Sequence, residues 1–294
     1  MGKMGFIGLG NVGQPMAANL LAAGYEIIGF DIKQNEDFIA AGGKFTDSLS
    51  ALIEMLPEKA VIFQSLPNET ALRATVDVLL TFPREQCLVD VSSYALEVKK
   101  ASAVRLASAG ISMLDCEVSG LPPHVASREA TLFKSGEHAV IERMAPYFDA
   151  VAKRHIYLGD FGMATRMKLI ANVMVCAHNL IAAEALSLGR SLGLDPLLIV
   201  DALSGSAASS ATFVNKAPLM LSRDFAQGRG PFRHMFGYLS RARAMADDTL
   251  TATPVLNTTS AIYAVAESEG RHDQDIAAII EIIENMRVEG NAHA

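Results

Sequence analysis

A glycine-rich turn and a lysine-bearing helix hold the residues of this sequence whose types and spacing suit chemistry. Gly8-Leu9-Gly10-Asn11-Val12-Gly13 follows a strand-like run at residues 4–7 and opens a helical stretch containing Met16, Ala17 and Leu20. In such a turn Gly8 permits the tight bend, Gly10 lets backbone approach a pyrophosphate, and Gly13 lets helix and strand pack closely. The helix N-terminus then faces the phosphates. Asp31 ends a second strand-like run, residues 26–31, at the spacing where a carboxylate accepts hydrogen bonds from the adenosine ribose. The pattern predicts a dinucleotide site. Asp31 would repel a 2′-phosphate, so NAD is preferred to NADP; Lys33 nearby softens that preference and keeps NADP open. A glycine turn also serves packing alone, and an aspartate also serves as an ordinary strand-end residue.

Lys168 and Asn172 stand four apart and share one face of a helical stretch, which Cys176 and Asn179 continue. A lysine beside a nicotinamide can give a proton to a carbonyl oxygen as hydride reaches the carbon, or take it back in the reverse direction. Asn172 can hold a substrate through its amide. Such a pair is also compatible with a solvated helix face.

The elements needed to position these groups are legible in the hydrophobic pattern. Strand-like runs at 4–7, 26–31, 60–64, 87–90, 112–117 and 131–134 alternate with helical stretches near 12–23, 48–55, 69–80, 95–109 and 137–150. Repeated βαβ units of this kind predict an α/β fold, a doubly wound Rossmann sheet with helices on both faces. After Gly159 the pattern changes. One helical periodicity runs without proline from about 162 to 192, Gly193 suits its C-cap, and Asp195-Pro196 suits the next helix start. Helices near 196–204, 209–221, 231–249, 254–268 and 272–286 follow. The expected organisation is a dinucleotide-binding domain at 1–161, joined by a long helix to an all-α substrate and dimerisation domain at 162–294, with a short frayed tail from Val288.

Composition narrows the class. Half of the 294 residues are hydrophobic and 19% are charged, which is a folded, core-forming chain. A net charge of −7 without a basic cluster argues against nucleic acid or an anionic membrane as partner. Cys87, Cys116 and Cys176 are far apart and suggest neither disulfides nor a zinc site, which fits a cytoplasmic protein. No export signal is apparent, and Asn172, His178, Asn179 and Glu184 interrupt the apolar run near 170–188, against a membrane span. His124, His178 and His234 show no ligand spacing, so no metal is expected. Apolar faces on the C-terminal helices suggest a homodimer or tetramer.

The order of motifs resembles the β-hydroxyacid dehydrogenase family, which includes 3-hydroxyisobutyrate dehydrogenases and tartronate semialdehyde reductases. The motifs are the glycine turn, Asp90-Val91-Ser92-Ser93, Asp115-Cys116-Glu117-Val118-Ser119-Gly120, and the run from Gly159 through Gly162 and Lys168 to Asn172. The resemblance spans about residues 4–284. It implies an NAD(P)-dependent oxidoreductase acting on a small carboxylated substrate, a hydroxyacid or semialdehyde acid. It also implies Lys168 as general acid/base, Asn172 beside the substrate, and Ser119 with Gly120 and Leu121 as the carboxylate cradle. Leu66, Pro67 and Ser93 then line the cofactor.

The sequence also departs from the family. Where the family writes Pro-Val-Ser-Gly-Gly, this chain has Glu117-Val118-Ser119-Gly120-Leu121, and Arg128 replaces a usual glycine. Glu117 would disfavour a carboxylate unless it points away or pairs with Arg128. A family Lys-Asp pair near the nicotinamide falls at Leu239 and Ser240, leaving Arg241 or Arg243 as substitutes unless they are surface residues. Two alternatives stay open: a reductase of another electrophile, such as an imine or sugar-acid intermediate, and an NAD-binding protein without turnover.

Overall fold

The computed structural model describes residues 2–226 and 230–286. The expected tail from Val288 lies outside them. The chain divides into two compact units, Met1–Lys168 and Leu169–Ala294.

The first unit is built on an eight-stranded sheet. Its strands are β1 (Lys3–Ile7), β2 (Glu26–Phe30), β3 (Lys44–Phe45), β4 (Val61–Gln64), β5 (Cys87–Asp90), β6 (Ser112–Ser119), β7 (Thr131–Ser135) and β8 (Arg154–Tyr157). They lie in the order β3-β2-β1-β4-β5-β6-β7-β8. Neighbours from β3 to β6 are parallel, with the order reversing between β1 and β4, as a doubly wound sheet requires. The expected run of parallel strands breaks at β7, which pairs antiparallel with β6. The link between them holds only the five-residue helix Pro122–Ala126. It is too short for a crossover and returns the chain along the same edge.

Helices α1 (Gly13–Ala22), α2 (Glu36–Ala40), α3 (Leu49–Met55), α4 (Glu69–Thr81), α5 (Leu96–Ala107), α6 (Pro122–Ala126), α7 (His138–Arg143) and α8 (Ala145–Val151) complete the unit. Two apolar clusters occupy the two faces of the sheet. Met4, Phe6, Val61, Phe63, Val89 and Cys116 meet α1 and α8 on one side. Ile7, Ile28, Ile62, Leu88 and Met113 meet α3, α4 and α5 on the other. The period-two alternation of each strand is what sends neighbouring residues to opposite clusters. The single helix expected at 137–150 is two, with Met144 closing α7 and Pro146 sitting in the first turn of α8.

The helix α9 (Met163–Ser191) runs out of the first unit into the second. It is long and apolar enough to cross a membrane by length and composition. Its Cys176, Leu180, Ala183 and Leu186 nevertheless pack into the core of the second unit, which is the character of a core helix. That unit continues with α10 (Pro196–Ser204), α11 (Ala211–Ser222), α12 (Phe232–Asp248), α13 (Pro254–Ser268) and α14 (Ile279–Asn285). The helix expected at 272–286 begins later, with a 3₁₀ turn at Ile276–Ala278 whose N-cap is Asp275. Asp275 is held in a buried ion pair with Lys216 at 2.6 Å.

Candidate functional site

The glycine turn sits at the C-terminal end of β1, where the strand order reverses. Gly8 has φ +84°, and a Cβ there would stand 2.1 Å from the Ser65 carbonyl oxygen. A Cβ on Gly13 would stand 1.9 Å from the Gly8 carbonyl oxygen, whereas one on Gly10 would meet nothing within 4 Å. Gly8 and Gly13 are therefore required by backbone packing, whereas at Gly10 the chain itself leaves room for a side chain. Leu9 is gripped on both sides: its N–H donates to Asp31 Oδ2 at 2.6 Å, and its carbonyl accepts from Asn35 Nδ2 at 2.8 Å.

Three following helices have side-chain N-caps, Asn35 on α2, Ser48 on α3 and Asn68 on α4. By contrast α1 begins at Val12 without a side-chain cap and without an acid in its first turn. Gln14 and Met16 already donate to the Gly10 and Val12 carbonyls and Pro15 has no N–H, so it is the helix dipole, unshielded by any acid in the first turn, that favours an anion there. A cavity of about 730 Å³ opens beside the loop, lined among others by Gly10, Asn11, Asp31 and Lys33. These features fit the pyrophosphate and adenosine ribose of a dinucleotide. Leu66 is tied to the exit of β5, its N–H donating to Ser92 Oγ at 2.8 Å, and Pro67 beside it is exposed.

The second part of the site lies at the C-terminal end of β6. There Lys168, half-buried, donates to the Val118 carbonyl at 2.7 Å, so its ammonium stands beside the Ser119-Gly120 turn. Burial pulls Lys168 below the usual lysine range, and the Glu117 carboxylate pulls it back up. Gly120 is confined, since a Cβ would come within 2.8 Å of Ala130. The Leu121 N–H is already donated to His124 Nδ1 at 3.2 Å, which leaves the expected cradle to Ser119 and Gly120. Asn172 lies one helical turn beyond Lys168. It is buried, and its Nδ2 has no hydrogen-bond partner among the described residues.

What the sequence reading missed is a buried charge cluster behind Lys168. Lys99 on α5 is fully buried and reaches Asp115 at 2.8 Å, Glu117 at 3.2 Å and Asp90 at 3.4 Å. Asp115 also accepts from Ser135 Oγ, from the Thr165 N–H and from Thr165 Oγ1. Burial alone would lower Lys99, but Glu117, Asp90 and Asp115 hold it well above the usual lysine range. Burial raises Asp90 and Glu117 against the pull of Lys99. For Asp115 burial pushes up, but Lys99 and the Thr165 bonds win, and its carboxyl lies low. The available signal was period two: Asp115, Glu117 and Ser119 alternate along β6 and leave one face together.

Two expectations are corrected. Glu117 pairs with Lys99 and accepts a short hydrogen bond from Ser93 Oγ, not with Arg128. Arg128 turns instead to the Asp149 carbonyl. Its φ of 61° is the left-handed backbone that explains why a glycine suits this position. Asn179 does not extend the Lys168 stripe, because it is buried in the second core, donating to the Ile276 carbonyl at 2.8 Å and to Tyr263 Oη at 3.1 Å.

In the second unit Leu239 is a core residue at 2% exposure, so a lysine at that position would be buried. Ser240 and Arg243 line a cavity between α12 and α13, and Arg241 stacks over the Tyr238 ring at 5.1 Å. Cys87 and Cys176 are buried thiols pushed up to about 12, far from a reactive thiolate.

Residues 3–159 match the family described as the NAD binding domain of 6-phosphogluconate dehydrogenase. Residues 162–283 match the one described as NAD-binding of NADP-dependent 3-hydroxyisobutyrate dehydrogenase. The chain is 28% identical over 291 residues to 2-(hydroxymethyl)glutarate dehydrogenase of Eubacterium barkeri, covering 97% of this chain and 95% of that protein. It is 25% identical over 290 residues to the chloroplastic glyoxylate/succinic semialdehyde reductase 2 of Arabidopsis thaliana, covering 96% of this chain and 79% of that one. The solved 3-hydroxyisobutyrate dehydrogenase of Mycobacterium tuberculosis with L-serine superposes with TM-score 0.85 at 24% identity, covering 96% and 99% of the two chains. An imine reductase from Myxococcus stipitatus with NAD+ gives 0.66 at 14% identity, covering 96% and 99%. At these identities the two structural likenesses speak for the fold.

Proposed function

Since the chain belongs to the β-hydroxyacid dehydrogenase family and is an NAD(P)-dependent oxidoreductase, we propose that it interconverts a small hydroxyacid and its semialdehyde acid, with Lys168 as general acid/base. The observation that carries this reading is the 2.7 Å bond from Lys168 Nζ to the Val118 carbonyl, which sets an ammonium beside the Ser119-Gly120 turn. The bound nicotinamide supplies or takes up the hydride. Lys168 gives its proton to the carbonyl oxygen during reduction and takes it from the hydroxyl during oxidation. A lysine drawn below its usual range by burial is better matched to both directions near neutral pH than a solvated one. Ser119 Oγ and the turn's N–H groups receive the substrate carboxylate, and Asn172, with an unsatisfied amide, contacts the substrate.

Asp31 supports NAD as the preferred coenzyme. It lines the cavity beside the glycine loop, where a 2′-phosphate would meet a carboxylate, although Lys33 lines the same cavity. Exposed Ile170, Met174, Ile181 and Leu188 recur along α9 and support assembly as a homodimer through that helix. The buried free cysteines fit a reducing compartment such as the cytoplasm.

Turnover on a panel of hydroxyacids, semialdehyde acids and cyclic imines, each with NADH or NAD+ and the phosphorylated coenzymes, tests the assignment. Carboxylated hydroxyacids or semialdehydes should be consumed. Turnover confined to imines would move the chain to the alternative chemistry, and tight NADH binding without turnover of any of them would make it a binding protein.

A further inference from the structure

Glu117 stands where the family pattern has a proline, so its carboxylate is a feature of this chain. Its position is set by β6, which carries Asp115, Glu117 and Ser119 on one face. Asp115 is engaged by Lys99, Ser135 and Thr165. Glu117 lies one step nearer the substrate end. Its Oε1 is 3.2 Å from Lys99 Nζ and 3.5 Å from Thr165 Oγ1, and its Oε2 accepts from Ser93. On α9, Thr165 and Lys168 are three residues apart and both turn to β6, Thr165 to Asp115 and Glu117, Lys168 to the carbonyl of the residue after Glu117.

From this arrangement we propose that Glu117 is a positioning residue that keeps Lys168 as an ammonium, loading it as the proton donor before a carbonyl substrate arrives. The inference rests on the role assigned to Lys168 above. The charged groups facing Glu117 are Lys99 from α5, Asp115 on its own strand and Lys168 from α9, while Asp90 on β5 meets the same Lys99. Ser93 and Thr165 are its neutral partners. Lys99 is shared among three carboxylates, so it does not satisfy Glu117 alone, and the remaining negative field falls on Lys168. Between the buried Glu117 carboxylate and the half-buried Lys168 that field is screened less than it would be in water. Burial draws Lys168 towards the neutral amine, and Glu117 opposes it. Glu117 itself transfers no proton. In reduction the proton passes from Lys168 Nζ to the carbonyl oxygen as hydride adds to the carbon, and solvent returns a proton to the amine.

The test is Glu117→Gln, which keeps size and hydrogen bonding and removes the charge. Competitive labelling of Lys168 with an amine-selective acylating reagent across pH, read by peptide mass spectrometry on the coenzyme-free protein, reports its titration without turnover. The midpoint should fall by about one pH unit or more, and Glu117→Asp should recover most of the difference. The alkaline limb of kcat/KM for carbonyl reduction should move down by the same amount, whereas a merely structural role would lower activity at every pH with the limb in place. If the glutamine variant does not fold, Glu117→Met removes the same charge at similar length and should give the same displacement. An unchanged labelling midpoint in the folded uncharged variant overturns the proposal. A displaced midpoint in a protein whose wild type turns over no carbonyl or hydroxyacid substrate upholds the coupling and overturns the assigned function.

Discussion

At the residue scale, one cation holds three buried carboxylates together. Lys99, Asp90, Asp115 and Glu117 are each no more than 1% exposed, so the cluster relies on its own pairing. Replacing Lys99 by methionine removes the cation that Asp90, Asp115 and Glu117 share and leaves only Glu117 facing another, Lys168, a loss that typically costs about 3–5 kcal/mol. The sign of its pH dependence follows from linkage. Without Lys99 the folded-state carboxyls lie above their unfolded values, and a group raised in this way favours the folded state at low pH and loses that contribution as pH rises through it. The Lys99→Met deficit should therefore be small near pH 4 and large near pH 8, and urea midpoints at the two values would check this. A deficit equal at both would show that Lys99 acts through packing. Lys168 and Ser119 stood out as candidates because each sits in a recognisable motif. Lys99 was not, since a lysine in the amphipathic stretch 95–109 reads as surface until the strand it faces is known.

At the scale of elements, the uncapped start of α1 is the feature most directly tied to coenzyme binding. Gly13→Ala would drive a methyl into the Gly8 carbonyl oxygen and the Phe6 ring. Overpacking of this kind costs about 1–3 kcal/mol, and the displaced loop should weaken NADH binding on the order of tenfold, a loss of about 1.4 kcal/mol. Fluorescence titration of bound NADH measures it, and unaltered affinity would separate the glycine turn from the coenzyme. The strands that carry this loop were readable because 4–7, 60–64 and 87–90 are short apolar runs bounded by turn residues. The edge strand β8, Arg154-His155-Ile156-Tyr157, was missed because a half-exposed edge lacks such a run. The two-residue β3 is too short for any periodicity. The strand β7 was read at 131–134, but its antiparallel direction was not, because α6, opening on Pro122-Pro123, did not read as a helix and the link it sits in is too short for a crossover.

For the whole molecule, coenzyme choice and assembly are the properties that follow from many residues at once. Asp31 holds Leu9 and lines the cavity beside the glycine loop, so Asp31→Ser should raise kcat/KM for NADPH relative to NADH by about tenfold or more. An unchanged ratio would assign Asp31 to loop structure alone. The exposed apolar row on α9 predicts a dimeric mass in light scattering, and a monomer at all concentrations would contradict it. The division of the chain into an α/β and a helical unit was legible from the change of period after Gly159, and the register of the helical unit was less so. Leu239, read as the vacated place of a lysine, is a core residue, because helical spacing alone does not say which of two adjacent faces is buried.

The central claim is that the Lys168 ammonium transfers the substrate proton. Single-turnover oxidation of NADH by the best carbonyl substrate, comparing wild type with Lys168→Ala, tests it most directly. The rate should be lower by about 10²-fold or more with NADH affinity preserved, whereas a wild-type rate in the alanine variant would mean that another group transfers the proton.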